Sequence, residues 1–391
     1  MIYDIIIIGA GPIGLLLANI LGNLNIKTIV LEKENTKSSG SKAIGISPPS
    51  LEILRKYKLD ETFLKSGIKV KDVVVHGTKN ELGHITFNRL PSSYNFILSI
   101  PQTETENILE KNLKQHDSVR LEKDMEVTAL NRHEHIEIKA LNKITGKEET
   151  YQSKYLCACD GSKSTIRTLL NIPFSGNRYK STFLMADFMD ESGFDNEAHL
   201  FFTKKGPVES FPLPGKIRRW IVETDDFMKN PEKGFLESEV KKRTGIDISK
   251  SKKISESPFG VQHYIIKKYY NNKTFFCGDS AHVMSPIGGQ GMNTGFADAD
   301  FCANIVKEFL TTGSENNKTL KKYNKYRKKA ALTATKRASL SMHIGIMKGF
   351  FISLGRNIFI YLFVRIFKKI IPPFFSMLTI PYNSYEKSFK K

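Results

Sequence analysis

The chain has 391 residues, 40% of them hydrophobic, with 59 lysines and arginines against 40 acids and a net charge of +19. That apolar fraction supplies cores for two or three domains and excludes a disordered or low-complexity chain. Four cysteines, Cys157, Cys159, Cys277 and Cys302, fall in or beside core-like elements rather than at metal-ligand spacings, so burial is their expected state and a reducing compartment their expected setting.

In chain order, residues 3–8 read as an apolar strand and 13–24 as a helix, joined by a loop carrying Gly9, Gly11, Pro12 and Gly14. The apolar start lacks a basic leader and contains Asp4, so it is read as part of a nucleotide-binding unit and no export is expected. Glycine is needed in this loop for a tight turn, for backbone approach to a pyrophosphate and for close helix–strand packing, and the helix N-terminus adds partial positive charge. A strand at 27–31 then delivers Glu32, followed by Lys33. The Glu32 carboxylate can accept hydrogen bonds from both hydroxyls of an adenosine ribose, which argues against a 2′-phosphate. These features specify a dinucleotide without deciding between FAD and NAD.

Farther along, residues 73–87 read as a hairpin, 157–170 as a strand running into a helix around Asp160, Gly161 and Arg167, and 180–270 as short strands broken at Gly206, Pro212, Pro214 and Gly215. The expected product is an antiparallel sheet roofing the cofactor, with a covering helix at 231–243. His199, Trp220 and His263 lie in that sheet region and His282 near the second loop, and none of the four is assigned a catalytic role.

That second loop settles the choice of cofactor. A strand at 273–277 ends in Gly278 and Asp279, which places a carboxylate at the carboxyl end of a parallel strand, where it suits ribityl hydroxyls. Pro286, Gly288, Gly289 and Gly291 form a side-chain-poor stretch opening a helix from about Met292 and Asn293 onward. Its amides and dipole can stabilise negative charge on a reduced flavin ring. The two loops together point to FAD.

The three glycine-bearing segments resemble those of the flavoprotein aromatic hydroxylases, the para-hydroxybenzoate hydroxylase-like FAD-dependent monooxygenases. The resemblance covers roughly residues 1–310 and includes 43–54 and 100–109. It implies that Asp160, Gly161 and Arg167 serve FAD and transient NAD(P)H binding, and that Gln102 contacts FAD. Many relatives have arginine where this chain has Lys42, and lysine keeps the charge but loses the bidentate fork. The implied fold is α/β: a discontinuous Rossmann-like FAD-binding domain (1–72, 97–178, 271–320), an inserted antiparallel-sheet substrate domain (73–96, 179–270) and a C-terminal helical region (321–391).

The implied chemistry is reduction of FAD by NAD(P)H, addition of O2 to form a flavin hydroperoxide, and hydroxylation of an aromatic, phenolic or quinone-like small molecule. An isoprenoid-lipid reductase, an epoxidase or an antibiotic-hydroxylating enzyme on the same scaffold, and a non-catalytic FAD-binding or membrane-surface protein, remain open. Halogenases are disfavoured because their WxWxIP motif is missing. No metal cluster, triad or paired-carboxylate site is evident.

The charge is uneven. Between Phe301 and Lys391 there are 18 lysines and arginines against 3 acids, so +15 of the +19 lies there. No recognition fold accompanies it, which argues against nucleic acid. No apolar stretch in the tail is long enough to span a bilayer, so the tail suits either peripheral contact with an anionic membrane or packing on the body with a solvated basic face. The expected location is the cytoplasm, with the inner face of a membrane as the place for any such contact.

Overall fold

The computed structural model describes residues 1–36, 43–78, 80–286 and 288–389. The strand Ile2–Ile8, whose residues 5–7 are fully buried, pairs in parallel with Thr28–Leu31 on one side and Glu148–Ala158 on the other. Strands buried on both faces need apolar side chains at successive positions, which the IIII run supplies. The sheet extends in parallel to Val119–Glu122 at one end and Thr274–Phe276 at the other. The helices Pro12–Asn23 and Gln290–Thr312 pack together, and their inner residues join the main core with Phe275, Phe296 and Tyr323. Thus the strand before each glycine loop lies in one sheet, and both loops emerge at its carboxyl edge.

A second eight-stranded sheet runs in the order His282–Val283, Lys253–Ile266, Phe174–Met189, Ile217–Thr224, Gly206–Leu213, Ala198–Thr203, Asp72–His76, Glu81–Thr86. It differs from the expected purely antiparallel sheet at one pair, since Ala198–Thr203 runs parallel to Asp72–His76. Those strands meet from distant parts of the chain, and without a hairpin turn between them nothing imposes antiparallel direction. One face packs Leu184, Trp220 and Val222 under the helix Phe235–Thr244, and the other looks toward the glycine loops.

The helix Asn317–Gly345 braces the two sheets. Leu320 and Tyr323 belong to the nucleotide-side core, whereas Met342 packs with Phe183, Met185 and Phe259 of the second sheet. The following helix, Phe350–Ile366, lies against Glu81–Thr86. Among the described residues no helix is long and apolar enough to cross a membrane.

Candidate active site

Both glycine loops open helices whose N-termini carry no side-chain cap. The N-cap residues are Gly11 and Gly289, so the first-turn amides remain available to a ligand. At Gly14 an added Cβ would lie 1.9 Å from the Gly9 carbonyl oxygen, and only glycine permits that approach of helix to loop. Gly11, Gly161 and Gly289 show the opposite environment: a Cβ there would meet nothing within 4 Å. Glycines fixed by crowding behind the loops and glycines facing open space in front of them form a cradle fitting a planar, phosphate-bearing cofactor.

That space is a cavity of about 900 Å³. Gly11, Pro12, Gln102 and Gly161 line it from one side of the cradle, and Gly278, Asp279, Pro286, Gly289, Gly291 and Met292 from the other. Asp279 is exposed to this space at the end of Thr274–Phe276. Gln102 begins the helix Gln102–Leu113 and donates through Nε2 to Glu106 at 2.9 Å.

The other expected site residues stand behind the wall. Glu32 accepts from the Ala10 amide at 2.6 Å and from the Glu34 amide at 2.9 Å, so its carboxylate fastens the phosphate loop; Lys33 beside it is exposed. Asp160 accepts from the Ile166 amide at 3.1 Å, a helix-capping contact, while its Oδ1 is buried without a partner among the described residues. Burial raises the Asp160 carboxyl above its usual range. Arg167 donates to the carbonyls of Ser162 and Ser280, at 2.7 and 3.1 Å, and stacks 3.9 Å over Phe174, which ties the Asp160–Gly161 turn to the second loop. Asn293 accepts from the Ser47 amide at 2.8 Å and donates to the Gly45 and Gly289 carbonyls, locking residues 43–47 onto the loop-bearing helix. Lys42 lies outside the described residues.

None of the four aromatic candidates lines the cavity. His282 is fully buried and bonds Asp298 at 2.7 Å. His199 bonds His76 at 2.9 Å and stacks 3.6 Å from Phe194, and burial lowers its pKa to about 3. Trp220 is in the core beneath Phe235–Thr244, and His263 adjoins Tyr179. The four cysteines are buried and form no disulfide; the sulfurs of Cys157, Cys277 and Cys302 lie within 4.8 Å of one another under the second loop.

Two residues were not singled out by sequence reasoning. Arg327, inside the basic stretch 321–329, is fully buried: Nε donates to Asp298 at 2.6 Å and Nη2 to the Thr294 carbonyl at 2.9 Å. Asp298 also accepts from the Gly278 amide at 2.9 Å, so the tail helix clamps the second loop through one carboxylate. Inward periodicity with Tyr323, Ala330 and Ala334 was the available signal.

The second is Glu209, on Gly206–Leu213, which lines the cavity opposite the cradle. Its cross-strand neighbours Leu200 and Ile221 are apolar, and it has no hydrogen-bond or ion-pair partner among the described residues. Burial pushes its carboxyl up to about 7. A carboxyl poised near neutrality in an apolar cavity can accept a proton from a bound hydroxyl.

The family model described as "FAD binding domain" matches residues 2–338. The chain is 30% identical over 307 residues to the 6-methylpretetramide 4-monooxygenase of Streptomyces rimosus, covering 76% of this chain and 54% of that protein. It is 27% identical to the rifampicin monooxygenase of Streptomyces venezuelae, covering 76% of this chain and 62% of the relative. This chain therefore spans little more than half the length of these curated relatives. In fold it matches the p-nitrophenol 4-monooxygenase of Pseudomonas putida DLL-E4 with a TM-score of 0.88 over 98% of this chain and 99% of the other, at 18% identity. With both glycine loops, their shared cavity and the family match in agreement, the chain belongs to the FAD-binding family of the para-hydroxybenzoate hydroxylase-like flavoprotein aromatic hydroxylases.

Proposed function

We propose that this protein is an FAD-dependent monooxygenase that uses NAD(P)H and O2 to hydroxylate an aromatic, phenolic or quinone-like small molecule. The observation that carries the reading is the single cavity walled by both FAD loops on one side and by an apolar sheet face bearing Glu209 on the other. The activities named for the two relatives, monooxygenation of rifampicin and of 6-methylpretetramide, support the reaction class and make a polycyclic antibiotic a second substrate class within it.

FAD, reduced by NAD(P)H, supplies the activation of O2. The chain supplies its placement. Gly9, Gly11, Pro12 and Gly14 form the pyrophosphate turn, with Glu32 and Lys33 at the adenosine end; Lys42 keeps its place in this reading from the sequence alone. Gln102, Gly161, Asp279, Pro286, Gly289, Gly291 and Met292 face the ribityl chain and ring. Asp160, Arg167, Gly278 and Asn293 hold those segments in place. Glu209 accepts the substrate hydroxyl's proton, which raises electron density at the carbon to be oxygenated, and the surrounding Leu200, Phe211, Ile221 and Phe259 keep water from the site. Four buried cysteines without a disulfide fit a cytoplasmic setting, in which the basic tail could meet the inner face of a membrane.

The test is O2 uptake by the purified FAD-loaded protein with NADH or NADPH across phenols, quinols, polyprenylated phenols and polycyclic antibiotics. Stimulated uptake with one added oxygen atom in the product is the expected result. Substrate-stimulated NAD(P)H oxidation without O2 uptake would replace it with the reductase reading.

A further inference from the structure

The helix Phe350–Ile366 departs from the usual amphipathic arrangement, since large apolar side chains cover its outer side as well. Its inward face carries Arg356, only 4% exposed, which donates to the carbonyls of Thr203, Gly345 and Met347. Ile360 and Val364 pack on the hairpin beside it. Its outward side presents Phe351, 83% exposed, with Ile352, Leu354, Ile358, Leu362 and Ile366, each about half exposed or more. A soluble monomer rarely gathers so many large apolar side chains without a partner for them.

The charges around this face indicate which partner. Lys204 and Lys205 occupy a turn at one end of the helix, where the Lys204 carbonyl accepts from the Gly349 amide, and Lys368 and Lys369 lie just past the other end. All four are exposed and have no ion-pair partner among the described residues. Lys348 is taken up by Asp225 and Glu223. Residues 316–385 contain no Asp or Glu. A second copy of the chain laid antiparallel on this helix would bring lysines against lysines, whereas a sheet of anionic headgroups over acyl chains complements both features.

We propose that this face docks on an anionic lipid bilayer, the helix lying in the interface plane with its apolar side at the acyl boundary and the four lysines among the headgroups. Phe359, Phe363 and Ile370 are each exposed and also line the cavity, so the cavity opens on the docked face. A lipophilic substrate can then pass from the bilayer to the FAD cradle; that route, unlike the docking, rests on the monooxygenase reading.

The experiment is flotation of the full-length, FAD-loaded protein with vesicles of phosphatidylcholine alone or mixed with phosphatidylglycerol, beside light scattering in solution. Binding at least tenfold stronger to the anionic vesicles, weakened by salt, is expected. Phe351→Glu/Ile358→Glu/Leu362→Glu should abolish flotation, and Lys368→Glu/Lys369→Glu should weaken it about tenfold, both keeping the bound-flavin absorbance; the lysine pair alone decides if the triple variant does not fold. Wild type that floats with neither vesicle, or flotation that no substitution alters, overturns docking, as does a dimer that the glutamate variants dissociate. Uptake of O2 with a water-soluble phenol is scored separately, so failure of docking and failure of the enzymatic reading are distinguishable.

Discussion

The cradle and the sheet roof face the same cavity but are built from different materials. The cradle wall is mainly backbone: helix N-termini, glycines whose missing Cβ is the functional feature, and side chains such as Glu32 and Asn293 that bond the loops from behind. The roof is a pleated surface whose character is set by side chains, and Glu209 is its one carboxyl among the described lining residues. A backbone cradle recognises a constant ligand and tolerates little change. A side-chain roof can be rewritten one strand position at a time, so under the proposed function substrate choice would reside there.

If the cradle is held from behind, removing its deepest support should do the greatest damage. Arg327→Met leaves Asp298 buried and facing His282 without its cation, a change that typically costs about 3–5 kcal/mol. Chemical denaturation should show that loss, and FAD should leave the variant on a desalting column, because Asp298 also holds the Gly278 amide. Unchanged stability with intact FAD retention would mean that the tail helix merely covers the loop.

A smaller loss is expected directly behind the phosphate turn. Gly14→Ala places its Cβ 1.9 Å from the Gly9 oxygen, and displacing that backbone costs about 1–3 kcal/mol. Because the displaced carbonyl belongs to the phosphate turn, FAD affinity should fall further than stability does. Equilibrium dialysis against FAD beside a denaturation curve separates the two.

The same contrast explains what was legible. Gly14, Gly161 and Gly289 stand out in the sequence because close-packed and open backbone turns impose a residue type that few other positions demand, and the structure brings Gly161 and Gly289 to one cavity with Gly14 packed behind. Arg327 was hidden because KKYNKYRKKA reads as a solvated charge run; one of its cations turns inward on a stripe whose other members, Ala330 and Ala334, are too small to mark a core. Arg356 was hidden for another reason, since the helix around it is apolar on every side and its sequence does not mark which face turns inward. Glu209 was invisible for a different one: in GPVESFPL, alternation puts Pro207, Glu209 and Phe211 on one face, and a lone glutamate ordinarily marks that face as solvent. Only the second sheet's position over the glycine loops turns the face into a cavity wall.

Glu209 is therefore where the comparison is most sharply tested, through a change that removes no packing. Its carboxyl lies at about 7 in the folded chain against 4.5 for a free glutamate, so the fold favours the protonated form. That contribution is fully present below pH 4.5 and is lost as pH rises through 7. Glu209→Gln keeps the shape without the proton equilibrium, and the wild type should lose stability relative to it over that window, on the order of 1 to 3 kcal/mol by pH 8. Turnover should move the other way. Substrate-stimulated O2 uptake by the wild type should climb through pH 7 as the carboxylate forms, and the variant should lose that limb and about 10²-fold in rate while retaining FAD. A variant with the wild-type pH profile would return Glu209 to the ordinary lining of the roof and assign proton removal to the substrate's own acidity.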